Sequence, residues 1–162
     1  MASAPSEISA LEKPLPEELL ASVGFLLARV GGGMKMRVLD ELEQVGCPGF
    51  QYGVLALLRE GPAVAQGRIA DALGIDPSQL VGELDELEAG GFIERQRDPH
   101  DRRRQMVAIT KKGEKQLVKL RAGVQRIENE YLASLDATAR KQLHELLLQV
   151  AQGNDARYRR RS

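Results

Sequence analysis

IADALGIDPSQLVGELDELEAGGFIERQRDPHDRRRQMVAITKKG, residues 69–113, decides how this chain folds. It opens on two short helical segments, GRIADALGI (67–75) and DPSQLVGELDELEAGG (76–91), divided by the tight turn Ala72-Leu73-Gly74-Ile75-Asp76. The start of the second segment is well marked. Asp76 suits the N-cap because its carboxylate accepts from free backbone amides, Pro77 suits the first helical position, and Gln79 sits where a capping box wants it. Gly90-Gly91 supplies the exit. FIERQ (92–96) and QMVAI (105–109) then alternate apolar and polar with period two, and the eight residues RDPHDRRR join them. That pattern predicts a β-hairpin with a long, charged tip.

Two short helices, a tight turn and a hairpin in that order make a winged helix-turn-helix. The second helix of such a unit lies in the major groove, leading with its N-terminal residues. Ser78, Gln79 and Gly82 fall on its exposed face, opposite Leu80, Leu84 and Leu87, and Gln79 has the geometry to pair bidentately with adenine. The charge distribution fits. The whole chain balances 23 basic against 23 acidic side chains, yet Arg95 to Arg126 holds eleven basic and three acidic residues, a local +8. A neutral protein needs positive charge only where phosphates approach, and a hairpin tip projects farthest from the body. One segment goes the other way. Ile69 to Glu94 carries seven acidic residues and no basic one. Three readings stand. The carboxylates lie beyond the phosphates, one of them accepts from cytosine N4, or DNA binding is weak or absent. The first is preferred, since only the leading turns of such a helix enter the groove. Replacing Asp85 and Glu86 with Gln is expected to tighten binding, and unchanged affinity would place them outside the DNA's field.

Outward from this centre the chain is helical. From Pro16 to Val45, apolar residues recur at helical spacing, broken by Gly31-Gly32-Gly33, where a bend beside a ligand pocket is expected. GCPG (46–49) is a break, and Phe50 to Arg59 a short helix. Thr110 caps a helix from Lys111 to about Leu132. Asp136 caps a last one with Leu143, Leu146, Leu147 and Val150 as its stripe. The expected fold is therefore mainly α with a small β-hairpin. With 162 residues and 43% apolar content, one domain with a real core is expected. No apolar run reaches bilayer length, the N-terminus lacks a signal-peptide layout, and one cysteine excludes an internal disulfide framework. These features together predict a soluble cytoplasmic protein.

The stretch 69–113 resembles the MarR family of bacterial transcription regulators. The residues that carry the likeness are the helix end Leu87-Glu88-x-x-Gly91, the wing Arg97-Asp98-Pro99-x-Asp101-Arg102-Arg103, and the helix entry Ile109-Thr110-x-x-Gly113. A looser likeness runs over 16–150 in the order of elements. The resemblance implies a homodimer built on long N- and C-terminal helices, a pseudo-palindromic DNA site, and a pocket for a small aromatic or lipophilic effector, with the protein acting as a repressor that the effector releases. On this plan residues 1–14 are a flexible N-terminus and 15–153 the family domain, with 50–110 as its DNA-binding part and 15–46 and 111–153 as dimerisation helices. Residues 154–162 are a flexible basic tail. Residue by residue, Asp101 matches the carboxylate that braces Arg103, while Arg102 and Arg103 match the pair that meets the minor groove. Arg97 and Arg104 flank them as further DNA contacts. A carboxylate that holds a guanidinium outward, toward a narrow groove, makes physical sense of that pattern. Phe25, Arg29 and Tyr52 are the candidate effector contacts.

Other constellations carry less. Gly31–Gly33 before Lys35 lacks phosphate-loop spacing. Cys47 has no basic neighbour within three residues to lower its pKa and reads as a passive thiol. Asp98-x-His100-Asp101 reads as a solvated loop, and no metal or other cofactor is expected. No nucleophile elbow, zinc helix or nucleotide fingerprint supports an enzyme. The rival from another class is a winged-helix module that uses its wing on a protein partner, with weak or no DNA binding.

Overall fold

The computed structural model describes residues 14–47, 50–61 and 63–158. The chain divides into two compact units, Met1–Met36 and Arg37–Ser162. The expected flexible N-terminus lies almost wholly outside the described residues, as do 159–162 of the tail.

In the first unit, α1 is a single turn, Glu17–Leu20, and α2 (Val23–Gln44), which continues into the second unit, begins after a gap of two residues. One helix was expected from Pro16, bent at the glycines. Instead α2 runs through Gly31–Gly33 without a break, and the interruption lies at Ala21-Ser22. Ser22 explains it: its hydroxyl oxygen accepts from the Phe25 backbone N–H at 3.2 Å, a local cap that competes with helix continuation. Leu19, Leu20, Val23, Leu26 and Leu27 of this unit are all exposed.

The second unit takes in the end of α2, then α3 (Gln51–Leu58), β1 (Val64–Ala65), α4 (Gln66–Leu73), α5 (Pro77–Ala89), β2 (Ile93–Arg97), β3 (Gln105–Ile109), α6 (Lys111–Tyr131), α7 (Ala137–Asn154) and a closing 3-10 turn, Ala156–Tyr158. The fold is mainly helical with a small antiparallel sheet, as the periodicities predict. The sheet has a third strand: its order is β1-β3-β2, with Val64 opposite Val107. Two residues are too few to show alternation, so β1 left no period in the sequence. The hairpin register sets Arg97 opposite Gln105, which shortens the tip to 98–104.

Leu55, Leu58, Ile69, Leu80, Leu84, Leu87, Ile93, Val107, Leu117 and Leu120 form the core of this unit, each no more than 2% exposed. Burying one such side chain stabilises by about 1.5–3 kcal/mol, so the helix-turn-helix and the hairpin base are fixed by the same apolar cluster. Gly74, at φ 64°, turns the chain between α4 and α5 in the left-handed region. At the wing's exit, Thr110 Oγ1 accepts from the Gly113 N–H at 3.1 Å and donates to the Gly91 carbonyl at 2.8 Å. Asp136 caps α7 by accepting from the Ala139 N–H at 2.8 Å. The end of α2 meets α6: Glu41 pairs with Arg126 at 2.6 Å, and the Arg37 guanidinium lies 5.2 Å from the centre of the Tyr131 ring.

α7 buries none of its residues, and Leu146, Leu147 and Val150 on its stripe are exposed. Past its end, Arg157 is held by Asp155 and donates to the Asp71 carbonyl at 3.2 Å. No helix among the described residues is long and apolar enough to cross a membrane.

Candidate nucleic-acid interface

α5 buries Leu80, Leu84 and Leu87 and turns Ser78, Gln79 and Gly82 to solvent, as its pattern predicts. Asp76 caps it, accepting from the Ser78 N–H at 2.8 Å and from the Ser78 hydroxyl. With its proton committed to Asp76, that hydroxyl presents acceptor lone pairs outward, which suits an amino group on a base edge. Val81 lies 42% exposed, a spacing of three from Ser78. The sequence reading passed over it. The available signal was an apolar residue on an otherwise polar helix face, a residue type that packs on thymine methyls.

The Ser78 hydroxyl, then the backbone amides of Ser78 and Gln79, hold the Asp76 carboxyl below the ordinary carboxylate range. Glu88 is lowered in the same direction, first by the Arg95 side chain. A carboxyl lowered in the folded state stabilises above its unfolded pKa and loses that contribution as pH falls through the folded value. Thermal stability is therefore expected to drop as pH falls below about 4. Melts of the Asp76→Asn variant between pH 5 and 2 should show a shallower acid limb, and an unchanged limb would contradict the assignment.

The wing tip is shaped by its two aspartates. Asp98 Oδ1 accepts from the His100 N–H at 2.8 Å, and Asp101 Oδ1 from the Arg103 N–H at 3.1 Å. The Asp98 N–H donates to the Arg104 carbonyl at 3.0 Å and closes the loop. The expected brace between Asp101 and the Arg103 guanidinium is replaced. Asp101 Oδ2 pairs with Arg104 Nε at 3.3 Å, while its bond to Arg103 is to the backbone N–H. Bound to Asp101 by its N–H, Arg103 keeps an exposed side chain, while the guanidinium one residue on returns to Asp101. Arg97, Arg102, Arg103 and Arg104 are all exposed. Arg103, Arg104 and Gln105 line an open groove of about 630 Å³ together with Gln66, Gly67 and Arg68 at the start of α4 and Pro77 at the start of α5. The wing base and both helix starts thus share one surface. Arg68 adds positive charge there, at the start of a helix that Ala65 leaves without a side-chain cap, and Asp71 lines the same groove. The sequence reading missed Arg68 because it stands one residue before the acidic segment, outside both charge counts.

The acidic run has a structural explanation that none of the three readings anticipated. Glu83 accepts from the Phe50 N–H at 3.4 Å and Glu86 from the Gln51 side-chain amide at 2.7 Å. Both therefore sit at the start of α3, whose own N-cap, Phe50, provides no side-chain cap. Carboxylates from α5 thus lie where the dipole of α3 favours negative charge, and Glu83 takes up the N–H of its N-cap residue. Asp85 and Glu88 pair with Arg95 of β2, Asp85 at 2.6 Å. The carboxylates are tied to the protein, so Gln at 85 and 86 would remove internal bonds, and the expected gain in affinity does not follow. Arg95, in turn, belongs to this network and not to the positive tip.

Of the candidate effector contacts, Phe25 is half-buried and Arg29 exposed, both on α2 in the first unit. Tyr52 is half-buried on α3 and packs against the core of the second. Cys47 is buried, and burial followed by the Glu83 charge pushes its thiol up to about 11. Native protein at pH 7 should resist iodoacetamide and react only once denatured; rapid alkylation of the folded protein would contradict this.

A sequence model of the MarR family matches residues 44–104. A putative transcriptional regulatory protein for the hcr operon of Thauera aromatica is 33% identical over 100 residues, covering 62% of this chain and 60% of that protein's length. The transcriptional repressor CouR, solved bound to a 23-mer DNA duplex, is 31% identical with a TM-score of 0.75, covering 86% of this chain and 99% of that one. CouR from Rhodococcus jostii RHA1 bound to p-coumaroyl-CoA is 36% identical with a TM-score of 0.68, covering 82% and 94%.

Proposed function

Because the chain belongs to the MarR family of transcription regulators, we propose that it works as a homodimeric repressor whose hold on DNA is released by a small aromatic or lipophilic effector. One observation carries the reading: Arg103 and Arg104 of the wing line a single groove with the starts of α4 and α5. Ser78, Gln79, Val81 and Gly82 read base edges in the major groove, Arg102 and Arg103 reach the adjacent minor groove or its phosphates, and Arg97, Arg104 and Arg68 hold the backbone. Asp101 shapes the loop that presents them.

The second copy is argued from α7. An apolar stripe left open on a helix with no buried residue calls for a cover, and a self-complementary two-fold contact provides one. Such a dimer spaces its two recognition helices for successive major grooves, which makes the operator pseudo-palindromic. An effector that binds better to a different spacing shifts the population away from DNA. The CouR complex with p-coumaroyl-CoA motivates the effector class, and exposed Arg29 offers a charge for an acidic group on it.

The test is selection of genomic fragments by the purified protein at low ionic strength. Enrichment of an inverted repeat with half-site centres about one helical turn apart is expected; recovery of no preferred sequence would overturn the reading.

A further inference from the structure

β2 is an edge strand of the sheet, and its residues 93, 95 and 97 share one face by the pleat. Ile93 on that face is buried in the core, and Arg97 is exposed. Arg95 stands between them, opposite fully buried Val107. An apolar residue there would simply extend the core. The chain instead places a guanidinium, its side chain only 19% exposed, against two carboxylates of α5. Arg95 Nε donates to Glu88 Oε2 at 2.9 Å, its terminal nitrogen reaches Asp85 Oδ1 at 2.6 Å, and its backbone N–H donates to Glu88 Oε1 at 3.1 Å. Asp85 and Glu88 are three residues apart and so neighbours on the helix surface. Asp85 also continues the face that begins with Ser78 and Gly82.

The location matters because Arg95 lies at the three-stranded base of the hairpin, two residues before its unsupported part begins at Arg97. β1 supports β3 only at Val107 and Met106, so from Gln105 outward the tip is two strands alone. An isolated two-stranded ribbon is marginal in water and free to swing. A planar guanidinium fixed by several bonds specifies an angle as well as a distance.

We propose that Arg95 is a positioning residue of the DNA interface: shared between Asp85 and Glu88, it locks the wing to the recognition helix so that both meet the duplex as one body. The inference rests on the proposed DNA-binding function. It gives the two carboxylates a role opposite to repulsion: they anchor the wing.

The test pairs Asp85→Asn with Glu88→Gln, nearly isosteric changes that remove both charges and leave the helix pattern intact. Two measurements separate the strut from the function. Without DNA, amide hydrogen exchange at Arg95 and across the tip should accelerate about tenfold or more while core amides keep their protection. With the selected duplex, affinity should fall about tenfold, and Arg102→Ala should cost several-fold less in this background than in the parent, because a loose wing contributes less. Arg95→Lys, a point charge that cannot span both carboxylates, should fall between parent and double variant. Unchanged exchange at the tip, unchanged or tighter DNA binding, or a full Arg102→Ala effect in the double variant would each overturn the proposal. If the parent binds no DNA, the proposed function fails by itself, and the exchange measurement still decides whether Arg95 holds the wing.

Discussion

Replacing Arg102 and Arg103 together with alanine is expected to lower affinity for the selected duplex by roughly a thousandfold. In a homodimer the change removes four guanidinium groups, and at about 1 kcal/mol for each charge-assisted contact the loss approaches 4 kcal/mol. Both side chains are exposed, and Arg103 bonds Asp101 through its backbone N–H. Their removal leaves no cavity and no buried partner, so the melting temperature should hardly move. Sequence preference should survive as well, since phosphate and minor-groove contacts position more than they specify. Changes at Ser78 or Gln79 should do the reverse and alter base preference. Anisotropy titrations on matched and scrambled duplexes check both halves. Full affinity in the double variant would remove the wing from the interface.

The second large effect is on folding. Gly113→Ala is expected to destabilise by about 3 kcal/mol, at the upper end of what overpacking costs. A Cβ at 113 would overlap the Phe92 carbonyl oxygen and press within 2.8 Å of the Ile109 side chain. The Phe92 carbonyl already accepts from the Thr110 N–H at 3.0 Å, so it cannot turn away without breaking the entry to α6. A backbone atom has no rotamer by which to yield. The start of α6 must lift from the hairpin base, and Leu117 and Leu120 lose their packing with it. Denaturant melts of the variant against the parent give the number, and a shift under about 0.5 kcal/mol would show that the close approach is relieved elsewhere.

What the sequence disclosed follows from how local each signal is. Asp76, Thr110 and Asp136 each cap a helix through amides two or three residues away, and all three helix starts were readable. The hairpin showed through its period, to within one residue at Arg97. The partners of the acidic run could not be seen that way. Glu83 and Glu86 meet groups 33 and 35 residues upstream, at a helix start brought to them only by the packing of α3 on α5. Charge counting treated Arg95 as part of the positive tip, although it is neutralised on the spot by α5. In the first helix, three glycines outweighed one serine in the reading, yet Ser22 makes the break.

The central claim is that wing arginines and the leading turns of α5 form one phosphate-straddling surface, and the dependence of binding on salt tests it most directly. Each phosphate neutralised contributes about −0.9 to the slope of log affinity against log salt. With two wings and two helix starts engaged, the parent protein on its selected duplex should give a slope of about −5 or steeper. A slope near zero, or no binding at low salt, would contradict the account.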